Sequence, residues 1–345
     1  MKLGIIARSD NTGLGNQTME LVKMLNPDKI LLINSKFFNN NKQHPEWYKD
    51  YNVLQTMQGM PRTREVMNFL EGLDVVISCE TFYHLEFVNI AKKRGIKTIL
   101  QYNYELFGNL ANPDWALPDV LLAPSVWNLD IVVERFGNKS KVIQLPPPTD
   151  ESLFSQAREI NLSKDHKRIL HIAGKKAAKD RNGTESLFEM IKHSKEDYEL
   201  VIKSQTELNF KCKDSRIKVE IGNPENRQDM YNGFDAMVLP RRYAGLCLPM
   251  NEALLSGLPV FMTDISPNNF ILPNKWLAES KKIGTFPTKS VVDIYDANPD
   301  ILAKIIDSYV GNNKKLKIKE AAVQIGLDNF SVNSLKEKYL KIINE

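Results

Sequence analysis

The chain is predicted to be α/β, with two Rossmann-like, doubly wound domains facing across a cleft. Three observations lead there. Apolar runs such as Asp74–Cys79 (DVVISC) show no polar alternation, so these strands are buried on both faces, as in parallel sheets. The runs alternate with stretches of helical period. The alternation breaks at the proline triplet Pro146–Pro148 and restarts at Arg168, and 345 residues suffice for two cores.

The elements follow in order. Leu3–Ala7 reads as a strand, Asn16–Leu25 as a helix and Lys29–Ile33 as a second strand. Thr63–Leu70 is helical, Asp74–Cys79 is a strand, and His84–Arg94 is a helix closed by Gly95. Thr98–Gln101 and Val120–Ala123 are strands, Asn128–Phe136 is a helix ended by Gly137, and Lys141–Leu145 is a strand. Prolines cannot continue that strand, and polar residues follow them, so residues 151–167 are expected to form a hinge between a domain of residues 1–150 and one of residues 168–330. The second domain reads as strand Arg168–Gly174, helix Thr184–His193, strands Tyr198–Lys203 and Ile217–Ile221, and helix Asn226–Asn232. Strand Ala236–Leu239, a helix opening at Pro249 and ending at Gly257, and strand Val260–Thr263 come next. Helices at Pro299–Val310 and Lys314–Asn329 precede a last one, Val332–Ile343, expected to pack back on the first domain as residues 331–345.

Composition is that of an ordinary globular protein, 42% hydrophobic and 26% charged, with a net charge of +4. That charge permits an anionic substrate or nucleic acid without demanding either. Cys79, Cys212 and Cys247 are widely spaced and form no CxxC pair, so neither zinc nor a disulfide framework is expected, and the default setting is a reducing cytoplasm. No apolar run is long enough to span a bilayer, which leaves peripheral membrane contact open.

Four groups of residues point to chemistry. The densest is Leu239–Val260, LPRRYAGLCLPMNEALLSGLPV: a strand end, a glycine loop, a helix start and one carboxylate, Glu252. Free backbone N–H groups beside a helix N-terminus suit a phosphate, and the carboxylate suits a hydroxyl-bearing ligand. The plain alternatives are a turn at Gly245, a dipole-complementing Glu252, and surface charge for Arg241 and Arg242. Second, Lys175, Lys176, Lys179 and Arg181 cluster after a strand, at the edge where such sheets bind ligands, and one or two of them can neutralise a leaving diphosphate. Third, Gly13 and Gly15 open the first helix. They fall short of a dinucleotide fingerprint, because Thr18 holds the third glycine position and Ile33-Asn34-Ser35 carries no acid for an NAD ribose. Fourth, Glu80, His84, Gln101, Asn103 and Glu105 follow first-domain strands and are candidates to orient an acceptor hydroxyl, with Phe82, Tyr83, Tyr102 and Tyr104 able to stack on a sugar or base. No DxD pair, HExxH, Walker loop or GxSxG elbow is present, so no metal site and no cofactor are expected.

These residues together resemble the GT-B glycosyltransferases of the large family-4 type, over nearly the whole chain. DVLLAPSVWNLDIV resembles the family's D-x5-S strand and helix, and VIQLPPPTDESLF its interdomain segment, with Asp150 and Phe154 in register. ILHIAGKKAAKDRNGTESL resembles the family's cationic loop, and Leu239–Val260 its E-x7-E segment. The resemblance implies transfer of a sugar from a nucleotide diphosphate-sugar, with retention of configuration and without a metal. It implies that Glu252 holds the nucleotide ribose and that Gly245, Leu246 and Cys247 meet the donor's sugar and phosphate. Lys175 stands where the family has a diphosphate-binding arginine, Arg181 or Lys179 near its lysine, and Gly13 and Gly15 at its N-terminal glycine loop. Two departures stand out. Ala244 replaces the first glutamate of E-x7-E, and Asn103, which cannot act as a base, takes the place of a histidine. The expected catalytic set is therefore Lys175, Arg181 and Asn103, with Glu80, His84 and Tyr102 on the acceptor side. The expected acceptor is a glycan, a lipid-linked saccharide or a hydroxymethylated base in DNA. The alternatives are a sugar-nucleotide epimerase of the same fold, an inactive nucleotide-sugar-binding protein, or, on the glycines alone, an NAD(P) oxidoreductase.

Overall fold

The computed structural model describes every residue except 39–40, 107, 109–115, 175–177, 209–212, 223 and 244. It divides into two units: Met1–Thr149 with Thr288–Ser290 and Val332–Glu345, and Asp150–Pro287 with Val291–Ser331.

The first unit runs β1 (Leu3–Ala7), α1 (Gly13–Leu25), β2 (Lys29–Leu32), β3 (Val53–Gln55), α2 (Thr63–Leu70), β4 (Val75–Cys79), α3 (Phe87–Lys93), β5 (Lys97–Gln101), β6 (Val120–Ala123), α4 (Leu129–Phe136) and β7 (Lys141–Gln144). Seven parallel strands lie in the order β3-β2-β1-β4-β5-β6-β7. All five residues of β4 are buried, as its unbroken apolar run requires. The strand order reverses between β1 and β4, and in such sheets the C-terminal ends of the strands at that point open to a ligand.

The second unit runs α5 (Ser155–Ser163), β8 (Arg168–Gly174), α6 (Thr184–His193), β9 (Glu199–Ser204), β10 (Ile217–Ile221), β11 (Ala236–Leu239), α7 (Leu248–Leu255), β12 (Val260–Thr263), α8 (Asn268–Ile271), β13 (Leu277–Ala278), β14 (Ser280–Pro287), β15 (Val291–Ala297), α9 (Pro299–Val310) and α10 (Lys315–Phe330). Its six parallel strands lie in the order β10-β9-β8-β11-β12-β13, and β14 and β15 form an antiparallel hairpin. The last helix, α11 (Val332–Asn344), belongs to the first unit. There its Tyr339 hydroxyl accepts from Gln101 Nε2 and donates to the Pro146 carbonyl, each at 3.0 Å.

Several elements differ from the sequence expectation. Residues 151–167, expected as a hinge, contain α5 and lie in the second unit. Phe154 is fully buried against Tyr231, and Asn161 ties α5 inward through the Tyr231 and Ser256 carbonyls, at 3.0 and 2.8 Å. Polar surface positions hid this anchoring. Residues 226–232 hold a 3-10 turn, Arg227–Tyr231, in place of an α-helix. Strand β3 and the β14–β15 hairpin had no counterpart; β3 is three residues long, too short to show a period.

A close crossing fixes α7, the helix of the densest motif, and a buried ion pair holds the crossing helix, α10. Gly326 of α10 crosses it so closely that a Cβ there would lie 3.0 Å from the Leu255 nitrogen. Lys319, buried with Asp235, reaches that carboxylate at 2.7 Å and the Asn161 carbonyl at 2.6 Å. A buried charge pair survives only with such extra partners.

Candidate functional site

The ends of β8 and β11 in the second unit bring two of the sequence motifs together. Asp180 accepts from the Thr184 and Glu185 N–H groups, at 3.1 and 2.8 Å, and so caps α6. Asn182 Nδ2 donates to the Ile172 and Ala173 carbonyls and folds the cationic loop back onto the end of β8. Gly183, at φ +70°, lies so near the other loop that a Cβ would stand 2.1 Å from the Pro240 carbonyl oxygen. Any side chain is therefore excluded there.

Arg242 joins the loops. Its N–H donates to the Arg181 carbonyl at 2.9 Å and its Nη1 to the Lys179 carbonyl at 2.7 Å. Its Nε pairs with Asp296 of β15 at 2.7 Å, and its carbonyl accepts from Tyr295 N–H at 3.0 Å. Arg241 is buried and donates from Nη1 to the Leu246 carbonyl at 2.8 Å, which shapes the glycine loop from within. Both arginines, read from sequence as possible surface charge, are structural ties, and the overlooked hairpin anchors Arg242. Lys179 is exposed, in a left-handed conformation at φ 58°, and Arg181 is half-buried beside it. Lys175, Lys176 and Ala244 lie outside the described residues.

The N–H groups of Gly245, Leu246, Cys247 and Leu248 find no backbone acceptor among the described residues. Pro249 lacks a donor and fits the first turn of α7. One turn on, Glu252 is buried. Its Oε2 accepts from the Tyr231 hydroxyl at 2.6 Å, and its Oε1 lies 3.3 Å from Arg227 Nε. Burial pushes its carboxyl above the ordinary range, while Arg227 and Tyr231 pull it back. A carboxylate has about four lone-pair sites, so two contacts leave room for hydroxyl donors.

One deeply placed residue went unremarked in the sequence. His171 of β8 is fully buried, with Nδ1 2.9 Å from the Val238 carbonyl and Nε2 2.9 Å from the Thr184 hydroxyl. Since Nδ1 donates to the carbonyl, Nε2 accepts from Thr184. It pins β8, β11 and the start of α6, and burial depresses its pKa to about 4.

In the first unit, α1 begins earlier than expected and includes both glycines; Thr12 caps it by accepting from Gly15 N–H at 3.1 Å. A Cβ on Gly15 would stand 1.9 Å from the Asp10 carbonyl oxygen, so this glycine answers to its own chain before any ligand. Gly13 is exposed at the helix start. After β4, Glu80 and Tyr83 both have positive φ, 64° and 58°, a concentration of backbone strain at a strand's C-terminal end. Asn103 Nδ2 donates to Glu80 Oε1 at 2.7 Å, which unites two candidates from different strands. Burial pushes the Glu80 carboxyl up against the pull of Asn103 and Arg8. Arg8 itself binds buried Asp10 through Nε and Nη2, at 3.0 and 2.7 Å.

The remaining candidates are otherwise engaged. His84 Nδ1 accepts from Glu86 N–H and its Nε2 meets the Thr63 hydroxyl, each at 3.2 Å, so it staples the approach to α3 onto α2. Gln101 is consumed by Gln17, Leu145 and Tyr339. Tyr102 is buried, and burial raises its pKa. Among the described residues no cluster of His, Cys, Asp and Glu could hold a metal ion, and no helix is long and apolar enough to cross a membrane.

No family profile and no curated protein matches the chain. Solved structures do. HepE of Anabaena, solved with UDP and glucose, is 11% identical over 100% of this chain and 99% of its own, with a TM-score of 0.69. A glycosyltransferase of Rickettsia africae is 14% identical over 99% and 97%, with a TM-score of 0.67. The lipopolysaccharide outer core galactosyltransferase WaaB is 14% identical over 100% and 99%, with a TM-score of 0.66. By fold, the chain is GT-B. At these identities the likeness is one of architecture: each unit of a GT-B chain is Rossmann-like, and both sheets here are.

Proposed function

We propose that the protein is a glycosyltransferase that moves a sugar from a nucleotide diphosphate-sugar to an acceptor hydroxyl, with retention and without a metal, in the cytoplasm. The GT-B fold supports this reading, as do its likenesses solved with UDP-glucose and with UDP and glucose. The observation that carries it is the Arg242 tie, which sets the cationic loop against the glycine loop at the start of α7.

In this reading the donor diphosphate meets Lys175, Lys179 and Arg181 and the N–H groups of Gly245, Leu246 and Cys247. Glu252 takes the ribose hydroxyls with its remaining lone pairs. The bond from the anomeric carbon to the diphosphate oxygen breaks, and one from the same carbon to the acceptor oxygen forms on the same face. The departing negative charge is stabilised by the cations and the helix dipole. The acceptor proton passes to the leaving phosphate oxygen, since the Asn103 amide cannot take it. Gly13 and Gly15, in the first turn of α1, are the first unit's donor-binding candidates. Glu80, held by Asn103, orients the acceptor hydroxyl, and Tyr102 and His84 shape the surroundings.

Calorimetric titration of UDP-glucose into a Glu252→Ala variant tests the donor assignment. Affinity is expected to fall at least about tenfold, about 1.4 kcal/mol. Circular dichroism serves as the control, because the carboxylate is buried. A folded variant with unchanged affinity removes Glu252 from the site.

A further inference from the structure

Two segments of the first unit carry large apolar side chains into solvent. Phe37 and Phe38 are 63% and 50% exposed, and Met57 and Met60 are 67% and 52% exposed. The segments touch: a Cβ on Gly59 would lie 2.9 Å from Phe37 Cβ and 2.9 Å from the Phe38 ring. They are also joined by the Asn34 N–H to Thr56 hydroxyl bond, 2.9 Å. The Phe38 ring leans on Tyr83, with centroids 5.9 Å apart, at the end of β4. These side chains therefore form one patch, and scattered single apolar residues do not explain it.

Charge frames the patch. Lys36, Lys42, Arg62 and Arg64 are exposed in the same two segments, 34–44 and 56–64, and outnumber the flanking carboxylates, Glu46 beside Lys42 and Glu65, which accepts from the Met57 and Arg62 N–H groups at 2.9 and 2.6 Å. None of the four makes an ion pair among the described residues. Apolar tips amid unpaired cations suit the boundary between acyl chains and anionic headgroups. The same pattern opposes a two-fold dimer, which would set these cations against their own copies.

We propose that this patch docks the protein on an anionic lipid bilayer, with Phe37, Phe38, Met57 and Met60 entering the interface and the four cations facing headgroup phosphates. Combined with the transferase reading, it favours a lipid-linked acceptor over modified DNA. Docking itself does not depend on that reading and is measured without donor or acceptor.

The test is co-sedimentation of the full chain with vesicles of phosphatidylcholine alone or with added phosphatidylglycerol, an anionic lipid that sets a negative surface potential. The wild type is expected to bind the anionic vesicles and to lose affinity as salt rises. Lys36→Glu with Arg64→Glu should weaken binding by at least tenfold, at about fivefold per cation removed. Phe37→Ser with Met57→Ser should abolish it; these side chains are exposed, so the melting temperature should hold. A second apolar variant, Met60→Ser alone, should weaken binding partially. Binding to duplex DNA in place of vesicles, a concentration-dependent dimer lost in the same variants, or equal vesicle binding by wild type and variants each overturns the proposal.

Discussion

Gly183→Ala tests how closely the two loops of the second unit meet. The residue sits at φ +70°, where an alanine costs about 1 kcal/mol. Its Cβ would also stand 2.1 Å from the Pro240 carbonyl oxygen, a backbone atom that cannot rotate away. Restoring ordinary contact opens the loops by about 1 Å. That displacement breaks or stretches the Arg242 bonds to the Arg181 and Lys179 carbonyls, each contributing about 1–2 kcal/mol. The expected loss is about 3–5 kcal/mol from the second unit. Gly95→Ala is the matched control: φ is again +70°, and nothing lies within 4 Å, so only the conformational cost of about 1 kcal/mol remains. Hydrogen exchange resolves the two units, where a single unfolding curve would merge them. UDP-glucose affinity, followed by calorimetry, should drop at least about tenfold in Gly183→Ala and stay level in Gly95→Ala, because site geometry tolerates little displacement. Equal stability losses in the two variants would refute the close approach.

Two more predictions concern buried titratable groups. His171 is held neutral, with a pKa of about 4 against an ordinary value near 6.5, so the unfolded chain takes up its proton first as pH falls. Its contribution is complete above about pH 6.5 and is lost as pH drops to about 4, by about 3 kcal/mol; the difference between wild-type and His171→Gln denaturation curves should trace that window, and parallel curves would reject it. Glu80→Gln keeps an acceptor for Asn103 but removes the charge, so nucleotide-sugar affinity should be unchanged while transfer slows by at least about tenfold; an unchanged transfer rate excludes Glu80 from the reaction.

The longer strands of both sheets were legible because burial on both faces leaves unbroken apolar runs such as DVVISC and AMVL, whereas β3 and β13 are too short to show a pattern. Long-range roles were not. Arg242 reads as surface charge until Lys179, Arg181 and Asp296 are folded around it. His171 looks like one more residue in an apolar strand until Thr184 and Val238 satisfy both its nitrogens. The hairpin β14–β15 carries a bulge between Lys282 and Gly284, which breaks the period-two signal that would have revealed it. Glu252 was found by its helix start, but Tyr231 and Arg227, its partners, sit in a turn whose approach to α7 no local pattern encodes. Gly15 was read as a ligand-side glycine at a helix start, and what its sequence position could not show is that the Asp10 carbonyl lies against it.

The central claim is that the second unit is a nucleotide-sugar site. Thermal-shift titration of the full chain with UDP-, GDP- and ADP-sugars, alongside NAD and NADP, tests it most directly. Stabilisation by a UDP-sugar is expected, growing by about 1.4 kcal/mol per tenfold rise in concentration above the dissociation constant, with none from NAD or NADP. Stabilisation by a dinucleotide alone, or by no nucleotide in the panel, would contradict it.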